Sequence, residues 1–252
     1  MDPTSPTRRL VQHSASYLAG QGLFFLARLV FYCAFTRLFT RDEYGALNLI
    51  TSGLLFLIVG VRLGQNDSIV RFLPEGQRRG RAGQYVASVL LPMLAVGAAA
   101  VAVLLGTVYA TAPRSGLSDD LRWALYAAAA TVGLRMVSDL TYAVLRAQER
   151  PGGAVALDAA RNWAAILGSL ALVFAWRASM APFFIGQMAG EAVILVACLW
   201  VLSRRFSLRP SRVDKAVWRQ SFDYGWPMAL YHLAAVALLY IDRPLKIGRA
   251  HV

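Results

Sequence analysis

Apolar residues run along this chain in long, nearly unbroken stretches, without the alternation of half-buried strands or the narrow stripes of surface helices. Runs near residues 14–38, 45–64, 84–110, 121–145, 155–176 and 181–202 each reach the about 20 helical residues needed to cross a hydrocarbon core about 30 Å thick. A seventh run starts near Trp226 and stops short, where the chain ends YIDRPLKIGRAHV. In lipid every backbone polar group has to be satisfied within the protein, so such runs form helices; the alternation of a barrel is absent. The pattern predicts an all-α polytopic membrane helix bundle with six transmembrane helices plus a truncated seventh. Along the chain this places a six-helix amino-terminal bundle at 1–202, a basic cytoplasmic loop at 203–225, the truncated seventh helix at 226–245 and an unrelated tail at 246–252.

The connections differ between the two sides. TRDEYG is a tight polar turn in which Gly45 can cap or restart a helix, and TAPRSGLSDD and RASMAP are equally compact. The links on the other side are longer and richer in arginine: FLPEGQRRGRAGQ, RAQERPGGAVALDAAR and SRRFSLRPSRVDKAVWRQSFDYG. Arg8, Arg9, Arg71, Arg78, Arg79, Arg81, Arg146, Arg150, Arg161, Arg204, Arg205, Arg209, Arg212, Lys215 and Arg219 fall on the N-terminal side. Only Arg37, Arg41, Arg114, Arg122 and Arg177 fall opposite. The positive-inside rule then puts the N-terminus in the cytoplasm. Arg8 and Arg9 do not mark a cleaved signal peptide, because the run that follows is too long, carries Arg28 and lacks a small-x-small site.

Composition supports the same class. The chain has 252 residues, 57% of them hydrophobic and 16% charged, with a mean hydropathy of +0.48. Its net charge of +12 is accounted for by loops facing an anionic leaflet, so the expected partners include membrane lipids and no nucleic acid. Cys33 and Cys198 sit in apolar runs with no partner at disulfide or metal spacing and are expected to be buried; no metal site or cofactor is expected. His13, His232 and His251 are scattered, with His232 a candidate for polar glue between helices. No Ser/His/Asp arrangement, phosphate loop or large external loop is visible, so no catalytic residue is assigned and the chain is not read as an enzyme.

Candidate chemistry lies where lipid would be expected. A charge inside a span costs at least a few kcal/mol if it faces lipid, so it should turn toward protein or a wet cavity. Arg28 falls in the middle of GQGLFFLARLVFYCAF, with Gln21 and Tyr17 on the same helical face. Arg135 and Asp139 are four apart, a spacing that suits either a self-neutralising pair or a substrate-facing one. Arg62, near a span end, suits snorkelling. Glu191 follows Gly186 and Gly190 in GxxxG spacing, which favours close helix packing; it is either a coupling carboxylate or a packed, hydrogen-bonded acid. Asp242 and Arg243 close the seventh run.

Residues 35–76 and the later stretch SFDYGWPMALYHLAAVALLYIDR carry a family resemblance. Arg37-Leu38, Tyr44-Gly45, Gly64, Ile69-Val70-Arg71, then Tyr224, Gly225, Pro227, Asp242 and Arg243 occur in the order and spacing of a known group. The chain resembles the amino-terminal half of polysaccharide-export flippases of the multidrug/oligosaccharidyl-lipid/polysaccharide exporter superfamily. The resemblance implies two six-helix bundles that rock about a central cavity. It also implies a cargo of oligosaccharide on undecaprenyl pyrophosphate, moved across the bacterial inner membrane. Arg28, Gln21, Arg135, Asp139, Asp242 and Arg243 are then the candidates for the cavity. Arginine suits such a cargo because its guanidinium binds phosphate oxygens in pairs. A drug or metabolite antiporter of the same fold is the alternative, and a membrane glycan polymerase or ligase a more distant one.

Measured against that family the chain is short. Residues 247–252, IGRAHV, match the translation of a common sequencing adapter residue for residue. The tail is therefore expected to be read-through and is set aside in fold reasoning. On this reading the chain is a fragment that lacks its carboxy-terminal lobe and is inactive alone.

Overall fold

A computed structural model describes residues 6–206 and 213–240. Asp242, Arg243 and the tail at 246–252 lie outside the described residues. Eight helices follow one another within them: α1 (Pro6–Leu38), α2 (Arg41–Arg62), α3 (Gln65–Arg78), α4 (Ala82–Ser115), α5 (Asp119–Ala147), α6 (Pro151–Ala175), α7 (Met180–Arg205) and α8 (Lys215–Tyr240). Among the described residues five stretches are long and apolar enough to cross a membrane: Leu18–Leu38, Arg41–Arg78, Ala82–Ala112, Gly152–Ala175 and Met180–Arg205.

The short turn after α1 works as anticipated in length but not in mechanism. Gly45 lies inside α2, and Thr40 starts the helix with a capping box: its side chain accepts from the Glu43 N–H while the Glu43 carboxylate takes the Thr40 N–H at 2.9 Å. Two donors left over at the helix start are thereby satisfied together.

Span two does not end in a loop. After Arg62 the chain passes through two left-handed residues, Leu63 (φ 50) and Gly64 (φ 67), and resumes as α3. The basic link FLPEGQRRGRAGQ (72–84) is expected to follow this span, but its first half belongs to an amphipathic helix over 65–78 with Gln65, Ser68, Ile69 and Leu73 buried. Pro74 inside it and the low overall apolarity hide the pattern. The seventh run also begins earlier than expected, at Lys215 instead of near Trp226. Asp214 accepts from the Ala216 N–H at 2.9 Å, which caps that start.

Helix α5 occupies the centre. Its buried residues run from Ala124 through Met136 and Asp139 to Ala147, covered by α2, α3, α4, α6 and α7. Because protein instead of lipid surrounds it, α5 carries polar groups that keep it out of the strongly apolar set. At one end Asp120 of α5 caps α7, accepting from the N–H groups of Met180 (3.0 Å) and Ala181 (3.3 Å) and from the Ser179 hydroxyl (2.8 Å). A carboxylate here also complements the positive end of the α7 dipole. Phe31 and Phe35 of α1 and Phe39 just beyond it meet Phe183 of α7 edge-on, with the Phe35 and Phe183 rings 4.9 Å apart.

Helices α6 and α7 touch backbone to backbone. A Cβ on Gly186 would collide with Gly168 of α6, and one on Gly190 with the Ala164 carbonyl. The GxxxG spacing therefore does what small residues do in membrane helices: it lets two backbones approach. Of the two cysteines, Cys198 is buried and Cys33 is exposed, against the expectation that both would be buried.

Candidate functional site

Five helices bring polar residues together midway along their length. Arg28 (α1), Thr51 (α2), Arg135 (α5), Arg161 (α6) and Glu191 (α7) all line one cavity of about 320 Å³. Phe24, Phe31 and Tyr32 supply an aromatic wall from α1. Mid-helix placement corresponds to mid-membrane depth, where transporters of repeat architecture hold their substrates.

The charges do not pair as their spacing suggests. Asp139 does not neutralise Arg135 four residues before it. Its carboxylate accepts instead from Arg62 of α2 and, at 2.6 Å, from Arg161 of α6. Arg161 also bonds Asp158 at 2.6 Å, so one guanidinium joins two carboxylates. Arg62 therefore ties α2 to α5 and does not snorkel away from the bundle. Arg135 finds Glu191 across the cavity wall, at a longer 3.9 Å. Asp139 and Glu191 are buried, 4% and 2% exposed, which is tolerable in such a place only because arginines face them.

Some capacity is left over. The Arg135 Nε, one Glu191 carboxylate oxygen (Oε2) and the Thr51 hydroxyl are buried with no hydrogen-bond partner. Arg28 is exposed at the cavity, its guanidinium 4.6 Å from the Phe24 ring centroid, and among the described residues no carboxylate forms an ion pair with it. Arg135 and Arg161 of the wall and Arg62 behind it are matched by Asp139, Asp158 and Glu191, so Arg28 leaves the cavity with surplus positive charge.

Of the residues singled out in the sequence, Arg28, Arg135 and Glu191 line the cavity, Asp139 lies behind its wall, and Gln21 is exposed on α1 away from it. Arg161 was counted with the loop charges, yet it lies within the apolar run 155–176 and is 12% exposed at its side chain. A charge inside an apolar run is itself the signal that marks it. Gln187 and Asn162, which also line the cavity, carry no such signal.

Five helices thus surround a polar mid-depth cavity, and α8 packs against α2, α3 and α4. Solved structures share this fold. The chain matches a MOP superfamily transporter from Pyrococcus furiosus over 94% of its length and 55% of that chain, with a TM-score of 0.74 at 14% identity. A multidrug resistance MATE family transporter in an outward-facing conformation gives the same values. A MATE protein in complex with Br-NRF matches with a TM-score of 0.73 at 14% identity, over 94% of this chain and 58% of that one. The chain thus spans a little over half the length of these structures, and the likeness is one of fold. The sequence profile of the polysaccharide biosynthesis proteins matches residues 10–249, and the chain belongs to that family. It is a multi-pass membrane protein. No curated protein matches it.

Proposed function

We propose that this chain forms the first lobe of an exporter that carries a lipid-linked oligosaccharide across the bacterial inner membrane. The cargo is a repeat unit on undecaprenyl pyrophosphate, used in exopolysaccharide or O-antigen synthesis. A second lobe of the same protein completes the cavity, and the two rock in turn toward either face. The basic links of α3–α4, α5–α6 and α7–α8 favour an N-terminus in the cytoplasm.

Arg28 carries this reading. It is a mid-depth, cavity-facing guanidinium without an ion-pair partner among the described residues. An arginine so placed is costly unless an anion visits it, and a pyrophosphate offers the paired oxygens its fork accepts. In cells whose surface glycan depends on the complete transporter, Arg28→Ala should lower export at least tenfold at equal protein abundance, with partial recovery in Arg28→Lys. Undiminished export in Arg28→Ala would overturn the reading.

A cation-coupled drug or metabolite antiporter is favoured by one observation, the buried Glu191 with a carboxylate oxygen unpaired beside the cavity. On that reading Glu191→Gln abolishes the dependence of transport on a proton or sodium gradient. On the flippase reading, cargo choice follows Arg28.

A further inference from the structure

The leftover hydrogen-bonding groups of the cavity are not those an anion needs. At its inner end the Glu191 Oε2 is an acceptor without a donor, and the Arg135 Nε a donor without an acceptor. Thr51, whose hydroxyl can do both, is unpaired beside the same space. Glu191 is 2% exposed and lines the cavity. Leaving such groups unmet costs about 1–3 kcal/mol each, more when charged.

Each possible occupant can be weighed against this set. The doubly esterified pyrophosphate of the cargo is fully ionised at neutral pH and only accepts hydrogen bonds, so it satisfies Arg135 but repels Glu191. A metal cation satisfies Glu191 but meets Arg135, whose Nε lies 3.9 Å from the same carboxylate. A sugar hydroxyl donates and accepts at once and satisfies both members of this locally neutral pair. The about 320 Å³ of space lies at the small end for ligand sites, roughly 300–1,000 Å³, which fits one or two sugar rings and not a whole repeat unit. Tyr32, exposed on the α1 wall, gives a ring face for the apolar side of such a ring.

We infer that the inner end of this cavity, formed by Thr51, Arg135 and Glu191, is a subsite for a sugar ring, with Arg28 at the outer end taking the phosphate side of the cargo. The inference rests on the flippase reading and adds to it an orientation: the glycan enters the lobe first and the pyrophosphate stays at Arg28.

The test is equilibrium binding to the complete two-lobe transporter in lipid nanodiscs. The probes are a panel of free hexoses and N-acetylhexosamines on one side and inorganic pyrophosphate on the other. At least one sugar should bind. Glu191→Gln and the near-isosteric Thr51→Val should each weaken it at least tenfold while changing pyrophosphate binding less than twofold. Arg28→Ala should do the reverse. Thr51→Val leaves the charge network intact, so its effect is read on a normally folded protein. Overturning results are no sugar binding, sugar binding indifferent to both inner substitutions, or pyrophosphate binding that depends on Glu191. If any of these occurs while Arg28→Ala still blocks export in cells, the subsite fails and the flippase reading stands. If export ignores Arg28, the reading beneath it fails.

Discussion

Asp139 is where single residues matter most in this molecule. It holds arginines from α2 and α6 against α5, and all three side chains are largely enclosed. Removing one member of such a set leaves the others charged and unpaired, which is far worse than never burying them. Asp139→Asn should therefore lower unfolding stability by about 3 to 5 kcal/mol, seen as a fall in the thermal midpoint of the purified protein in detergent. A double variant that also carries Arg161→Gln should regain part of the loss, because one unpaired cation is gone. The sequence marked Asp139 and Arg62 as charges in apolar surroundings, but it offered Arg135 as the partner through helical spacing. Spacing along one helix constrains only the neighbours on that helix. The partners came from α2 and α6, at separations of 77 and 22 residues that no local pattern encodes.

Among elements, α3 and its contact with α8 were the least legible. Gly64 is needed twice: its φ of 67 is costly for a side-chain-bearing residue, and a Cβ there would run into the Gly225 carbonyl of α8. Next to this close approach, Ser221 of α8 is fully buried, hydrogen-bonded to the Gln65 side chain at 2.8 Å and to Ser68 at 2.5 Å; the Tyr85 hydroxyl lies 3.3 Å away. His232 joins Asp67 at 2.9 Å farther along, the interhelical polar link anticipated for it. Such a network is satisfied only as a whole. In a double-mutant cycle, Ser68→Ala and Ser221→Ala should be non-additive, with a coupling of about 0.5–3 kcal/mol in thermal or denaturant unfolding. Full additivity would mean the two hydroxyls act separately. Tyr224, Gly225 and Pro227 were legible as a family motif, but the role of Gly225 as a landing site for Gly64 was not.

At the scale of the whole molecule, the orientation expected from the loop charges can be tested directly. In a Cys33→Ala background, Arg78→Cys at the end of α3 and Asp119→Cys at the start of α5 lie at opposite ends of the bundle. A membrane-impermeant thiol reagent should label the Asp119→Cys variant in intact spheroplasts and the Arg78→Cys variant only after the membrane is opened; the opposite pattern would invert the topology. The sequence by itself determined that this is an all-helical membrane bundle, where most of its long helices run, and which family it resembles, because the cost of exposing polar backbone or charge to lipid acts residue by residue. Only the tertiary structure decided which helix is central, which charges pair, and that α3 and the start of α8 are helices. Those outcomes depend on what surrounds a segment. Helix α5 tolerates Arg135 and Asp139 because protein replaces lipid around it, and α3 holds Gln65 and Ser68 because Ser221 and Tyr85 arrive from distant parts of the chain.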